Sequence, residues 1–366
     1  MYQEEDLVRI AKRRNNSKRT YLVVNRLQGK HIPVSGKCAF EMFDQLAEII
    51  QQAYKGERLL LIGFAETATA IGARVAVKVG SLYMQTTREQ IEGVEYLYFS
   101  EKHSHATKQK LVKDDVDSCI NDVDRIIFIE DEVTTGNTIS QIVNIIREKY
   151  KSKLNFSVAS ILNGMDEQSK VLYEKENIKL HYLVKTDHSK YSEKVLKYKL
   201  QGKYMPPKEN VEHLRGYNQY EIERYMNARR LVKAIEYEQA CEYLWGQIQD
   251  KVEKDKKRIL VIGTEEFMYP ALYVAARLEQ YGYEAVSHST TRSPIEVFEE
   301  CDYPFHTAFQ LVSLYDKERV TYLYDISKYD QVFVVTDALE KENEKSLINV
   351  LQEQGNENIT VVRWKK

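Results

Sequence analysis

Residues Ile126–Ile129 form an apolar run that does not alternate, and it leads directly into Glu130, Asp131 and Glu132. A strand with one wet face alternates polar and apolar residues. A continuous run instead describes a strand covered on both faces, as in a parallel sheet flanked by helices. Beyond the acids lie Thr134-Thr135-Gly136 and then helical spacing at Ile139, Ile142, Val143 and Ile146. Arg58–Val77 repeats this layout, with "LLLIGF" giving way to small residues and a second helical pattern, and "NFSVASILNG" (Asn155–Gly164) reads as a further strand. The fold class that follows is α/β with a parallel sheet.

The same layout returns in the last third of the chain. "LVIGTEE" (Leu260–Glu266) matches "LLIGFAE" (Leu60–Glu66), and "HSTTRSPIEV" (His288–Val297) matches "MQTTREQIEG" (Met84–Gly93). Asp330–Gln354 matches Asp124–Glu148. Paired segments recurring in one order imply two related α/β domains. The second is degenerate: Asp337 persists, but Ala338-Leu339-Glu340-Lys341 replaces the Thr-Thr-Gly turn. The boundaries read as 1–190 for the first domain, 191–256 for a helical connector and 257–366 for the second domain. The connector is rich in charge and tyrosine, is broken by Pro206-Pro207, and reads as one or two helices over Tyr220–Lys254.

A length of 366 residues suits two domains. With 43% hydrophobic and 30% charged residues the chain is of the soluble globular class, and no apolar run approaches the length of a spanning helix. A net charge of −2 gives no bulk reason to bind nucleic acid or a membrane surface. Cys38, Cys119, Cys241 and Cys301 are scattered without a CxxC pair, which argues against zinc or a disulfide framework. Reduced thiols and an N-terminus without an apolar core predict a cytoplasmic protein without a secretory signal.

Two chemistries compete for the acids after Ile129. A Walker-type magnesium strand would need a GxxxxGK[ST] loop, and the nearest stretch, Gly29–Cys38, has His31 and Cys38 at positions where the glycine and hydroxyl belong. A sugar-phosphate cradle fits more residues. Acids at the carboxyl end of a parallel strand can accept hydrogen bonds from sugar hydroxyls. Thr134, Thr135, Thr138 and Gly136 at a helix start suit a phosphate monoester. Together they describe a ribose 5-phosphate site.

This succession resembles the phosphoribosyl pyrophosphate (PRPP) motif of the type I phosphoribosyltransferases. The resemblance implies ribose binding by Glu130 and Asp131, and 5-phosphate binding by Thr134, Thr135, Gly136, Asn137 and Thr138. It implies a pyrophosphate loop at Ala65, Glu66, Thr67 and Ala68, with Glu66 facing magnesium, water or a partner residue. A lid is implied over Thr86–Val112, with Arg88, Lys102 and His105 as its catalytic cations. Threonine at position 134 is more like the orotate branch than the 6-oxopurine branch. "LQGKHIPVSG" (Leu27–Gly36) resembles the base-binding hood of that branch, which would turn Lys30 or His31 to the base.

Thr291-Arg292-Ser293-Pro294 is the tetrapeptide that names the TRSP domain. That domain follows an orotate-type phosphoribosyltransferase in bacterial proteins encoded with tellurite-resistance and stress operons. The expected activity is transfer of a 5-phosphoribosyl group from PRPP to a nitrogenous base-like acceptor, with loss of pyrophosphate. Magnesium would be bound mainly through PRPP, and no metal site of the protein's own is expected. A homodimer is left open. The alternatives are a PRPP-sensing module without turnover and a scaffold in a stress-response complex.

Overall fold

The computed structural model describes residues 2–14, 16, 19–99, 109–150, 153–207 and 214–365. The chain opens with one helical turn, α1 (Glu4–Leu7), and an antiparallel hairpin, β1 (Val8–Lys12) and β2 (Tyr21–Asn25). Helix α2 (Gly36–Ala53) follows, its first turn capped by the Ser35 hydroxyl, which accepts from the Cys38 amide. Then come β3 (Leu59–Gly63), α3 (Thr69–Val79), β4 (Leu82–Gln85) and a small hairpin of β5 (Tyr96–Phe99) and β6 (Gln109–Val112). The first domain continues with α4 (Lys113–Cys119), β7 (Arg125–Val133), α5 (Asn137–Tyr150), β8 (Asn155–Asn163), α6 (Glu167–Lys175), β9 (Ile178–Lys185) and α7 (Tyr191–Leu196).

The connector departs from its helical reading. Beyond α7, which lies at its start, it holds three strands, β10 (Lys203–Met205), β11 (Asn218–Ile222) and β12 (Val232–Lys233), and then the helix α8 (Ala234–Ile248). Each strand extends a different sheet: β12 pairs with β4 of the first domain, β11 and β10 with strands of the second. The helical spacing in Tyr220–Lys254 is real only from Ala234, where Tyr237, Cys241, Leu244, Trp245 and Ile248 form one buried stripe. Before it, sheet edges with unpaired backbone groups recruit the chain as strand.

The second domain comprises β13 (Arg258–Gly263), α9 (Tyr269–Gln280), β14 (Glu284–Ser289), β15 (Thr307–Val312), β16 (Val320–Tyr324), β17 (Gln331–Thr336), α10 (Lys345–Glu353) and β18 (Ile359–Trp364). The first sheet runs β12-β4-β3-β7-β8-β9 and the second β11-β18-β17-β13-β14. In both, the repeated strands stand in one order, β4-β3-β7-β8 and β14-β13-β17-β18, all parallel. The internal repeat is thus a repeat of topology. Between the domains α2, α3, α8 and α9 make a shared helical layer, and one hydrophobic core runs from Leu60 and Ile127 through it to Phe333 and Trp364. Gly36 lets α2 approach α9 there, since a Cβ would lie 2.4 Å from the Ala276 amide nitrogen.

Candidate active site

Parallel strands leave their ligand positions at their carboxyl ends, and here β3, β4 and β7 end together. Strand β7 is buried from Arg125 to Ile129 and emerges at Glu130, Asp131 and Glu132. Glu132 is neutralised: it pairs with Arg19 at 2.7 Å and with His188 at 3.2 Å, the latter ring stacked on Tyr191. Asp131 has no ion-pair partner among the described residues and is met by neutral donors, the Thr67 hydroxyl, the Gln28 side chain and its own backbone amide. Thr67 Oγ1 donates to its Oδ1 at 2.8 Å. Burial pushes the Asp131 carboxyl above the usual aspartate range, and burial together with the charges of Asp131 and Glu132 pushes Glu130 well above the glutamate range.

The turn that follows is shaped as a cradle. Gly136 has φ +71°, and a Cβ there would lie 2.2 Å from the Tyr173 hydroxyl, which donates to the Gly136 carbonyl at 2.9 Å. Helix α5 starts at Asn137, so its amino-terminal amides lie at the turn beside Thr134, Thr135 and Thr138, the Asn137 amide donating to Thr135 Oγ1 at 3.4 Å. Thr135 and Asn137 are exposed.

Across from this turn, the loop Ala65–Ala68 leaves β3 and enters α3. The Ala65 amide donates to Thr86 Oγ1 at 2.8 Å, and the Thr67 carbonyl accepts from Gln28 Nε2 at 2.7 Å. The Ala65–Glu66 peptide is cis. Glu66 faces partner residues, Lys30 and Arg292. Burial alone would raise its carboxyl, but these cations hold it below the usual range.

Lys30 is fully buried, and its ammonium contacts Glu66 and donates to the carbonyls of Glu265 at 2.7 Å and Thr290 at 2.9 Å. Its charge is absorbed by the contact between the domains rather than turned to open space. His31 is buried beside it with neither ring nitrogen hydrogen-bonded. Burial first, then the charge of Lys30, lowers the imidazole to about 3, so it is neutral. Arg88 donates its amide to Glu266 Oε1 at 2.8 Å, and its Nε is buried without a partner. Lys102 and His105 lie outside the described residues, between β5 and β6.

Sequence reasoning missed Gln28, Arg13, Arg19 and His188. Arg13 lies close enough to Asp131 and Glu132 to feel both charges. The only sequence signal was the basic run Lys12-Arg13-Arg14 ahead of β2, and a basic run alone does not name a target.

The second domain places equivalent residues at equivalent strand ends and uses them differently. Register equates Asp131 with Asp337, since Leu61 pairs with Ile127 and Val261 with Phe333. Asp337 accepts from Arg229 at 2.5 Å, Tyr225 at 2.5 Å and Tyr315 at 2.6 Å. Arg229 Nε reaches Glu266, the counterpart of Glu66, at 3.1 Å. Here burial would raise the acid, but Arg229 and the two tyrosines hold it below the usual range. The connector's own side chains fill this cleft.

Among the described residues no cluster of three His, Cys, Asp or Glu side chains could hold a metal, and no helix is long and apolar enough to cross a membrane. Comparison with curated proteins gives no match. Among solved structures, the chain is similar to adenine phosphoribosyltransferase of Trypanosoma brucei, solved with AMP, pyrophosphate and ribose-5-phosphate. That likeness has 18% identity and a TM-score of 0.30, and covers 40% of this chain and 64% of that one, under two thirds of its length. The adenine phosphoribosyltransferase of Leishmania tarentolae aligns at 12% identity and TM-score 0.35, over 50% of this chain and 85% of that one. That of Thermoanaerobacter pseudethanolicus aligns at 17% identity and TM-score 0.36, over 50% and 99%.

Residues 7–189 match a family model described as phosphoribosyl transferase, and residues 230–351 match one described as "TRSP domain C terminus to PRTase_2". The chain therefore belongs to this phosphoribosyl transferase family, with a TRSP domain following the transferase domain.

Proposed function

We propose that the protein transfers a 5-phosphoribosyl group from PRPP to a nitrogen of a base-like heterocycle, releasing pyrophosphate. The observation that carries this reading is the acid pair Glu130–Asp131, in no ion pair among the described residues and set between a glycine turn at a helix start and a small-residue loop. Burial raises both carboxyls, and among the described residues no cation contacts either one, Arg13 acting only from a distance, so a ligand that supplies donors is favoured there. The 2- and 3-hydroxyls of ribose are such donors. The turn Thr134–Thr138 takes the 5-phosphate, and Ala65–Ala68 the pyrophosphate.

The acid pair and the loop suit magnesium brought on PRPP, whose own oxygens supply most of its ligands. When bound, that ion neutralises charge on the departing pyrophosphate. The chain's residues orient the two reactants and exclude water from an oxocarbenium-like anomeric carbon. Arg88, Lys102 and His105 are the proposed cations on the leaving-group side. His31, neutral and with both nitrogens unengaged, is the better placed of the two hood residues to meet the base.

The test is PRPP-dependent pyrophosphate release by the full chain with magnesium across orotate, uracil, purines and small amides. Release with one acceptor class and not without acceptor supports transfer. PRPP binding with no release in any arm would favour the second reading, a PRPP sensor, which the filled cleft of the second domain makes worth separating.

A further inference from the structure

The two domains hold each other by an exchanged contact. Arg88 of the first domain donates its amide to Glu266 at 2.8 Å, and Thr87 donates its hydroxyl to the same carboxylate at 2.6 Å. Arg292 of the second domain donates its amide to both oxygens of Glu66, at 3.3 and 3.4 Å. Arg88 and Arg292 are equivalent in the repeat, and so are Glu66 and Glu266. The local scaffolds agree atom for atom. The amides of Thr86 and Thr290 donate to Gly63 and Gly263 at 2.9 and 3.1 Å, and their hydroxyls accept from the amides of Ala65 and Glu265 at 2.8 and 3.1 Å. Such reciprocity is the mark of an isologous interface, here formed inside one chain.

Its consequences differ on the two sides. Glu266 completes the filled cluster of Arg229 and Asp337, whereas Glu66 lies in the loop assigned to pyrophosphate, one residue before Thr67, which holds Asp131. A carboxylate in that loop would repel a pyrophosphate unless its charge were matched and its position fixed. Lys30 of the first domain contacts the carboxylate, held there by the Glu265 and Thr290 carbonyls of the second domain, and Arg292 of the second domain adds a further charge and an amide donor. Arg292 places Nε 3.6 Å from Glu66 and is itself held by Glu265 at 2.5 Å and by Glu89. Arg319 closes the ring, at 2.6 Å from Glu89 and 2.8 Å from Glu265.

We propose that Arg292 is a positioning residue of the phosphoribosyl site, contributed by the second domain, which joins Lys30 in neutralising Glu66 and anchors it through its amide so that the loop Ala65–Ala68 can receive pyrophosphate. The inference rests on the PRPP reading of the first domain and gives the second domain a role in it. That role needs no ligand of the second domain's own.

The experiment titrates the full chain with PRPP plus magnesium, pyrophosphate plus magnesium, and ribose 5-phosphate. Arg292→Gln is expected to weaken PRPP and pyrophosphate about tenfold while leaving ribose 5-phosphate within about threefold. Adding Glu66→Gln to that variant should restore most of the loss, because the repelling charge is gone. Arg292→Lys keeps the charge but not the fork held by Glu265 and Glu89, so it should weaken PRPP and pyrophosphate by less than about tenfold while again sparing ribose 5-phosphate, which decides between the outcomes should the Gln variant fail to fold. Glu279→Gln loosens a distant contact between the domains, to Ser35 and Lys37, and should leave all three ligands unchanged. Wild-type PRPP affinity in folded Arg292→Gln, equal loss of PRPP and ribose 5-phosphate in either Arg292 variant, or no rescue by Glu66→Gln would each overturn the proposal. A wild-type chain that binds no PRPP would defeat the functional reading itself, and this inference with it.

Discussion

Thr67 Oγ1 donates to Asp131 Oδ1 at 2.8 Å, joining the loop after β3 to the acid that ends β7. At the matching place in the second domain, Asp337 meets Arg229 and two tyrosine hydroxyls. The two acids consequently shift in opposite directions, Asp131 up by burial and Asp337 down by its cation. One strand end is electrostatically unfinished, and the other is complete. A ligand rich in hydroxyl donors has a reason to bind only the first.

Asp131→Asn should weaken PRPP binding by about 1–3 kcal/mol, the cost of losing a charged hydrogen-bond acceptor. The fold should survive, because the side chain lies at a strand end in no ion pair among the described residues, and an amide oxygen can still accept from the Thr67 hydroxyl. Calorimetric titration with PRPP and magnesium measures the loss. Unchanged affinity in a folded variant would remove Asp131 from the ribose site.

Glu130 makes a pH prediction. Its carboxyl titrates well above the ordinary 4.5 because of burial and then its neighbours Asp131 and Glu132. The native state thus holds a proton that the unfolded state has lost, and stability from this group falls as pH rises from 4.5 toward the folded value. Glu130→Gln removes the ionisation, so it should flatten that fall and raise the melting temperature at the alkaline end. Melting curves of both proteins across pH decide it; parallel curves would mean that Glu130 is not strained by its site.

The β7 strand and its acids were legible because apolar continuity and a long turn motif are local signals. The repeat was legible too, since three matched segments survive in order. Partners far apart were not. Nothing near Lys30 announces Glu66, and "TTR" carries no mark of being the segment that reaches into the opposite domain. The strands of the connector were hidden because β10, β11 and β12 owe their conformation to sheet edges supplied by distant strands. Their sequence, rich in charge and tyrosine, reads equally well as a helix surface.

Gly136→Ala should damage the phosphate turn. The added methyl meets the Tyr173 hydroxyl at 2.2 Å in a left-handed conformation, φ +71°. Backbone strain alone costs about 1–2 kcal/mol. The expected result is a lower melting temperature together with loss of PRPP binding, while Tyr173→Phe, which removes only the bond to the Gly136 carbonyl, should be milder in both. Full PRPP affinity in Gly136→Ala would show that the turn does not hold the phosphate.

The second domain should take no PRPP. Its strand-end acid is already bonded to Arg229, Tyr225 and Tyr315, and Glu340, Glu342 and Glu344 stand where the first domain has its hydroxyls and glycine. A phosphate needs converging donors; here Glu340 and Glu342 are exposed carboxylates that would repel it, and Glu344 is buried and taken up by Arg363 at 2.6 Å. Titration of the full chain should therefore give one PRPP per chain, and none in a folded Asp131→Asn/Gly136→Ala double variant. Asp337→Asn tests the other half of the argument. Removing one partner of a buried ion pair costs up to about 3–5 kcal/mol of stability, here softened because Arg229 keeps Glu266 at 3.1 Å. Denaturant unfolding should show that loss while the stoichiometry of PRPP stays at one. A second equivalent of PRPP, surviving when the first site is disabled, would mean that Arg229 gives way to a ligand and that both clefts work.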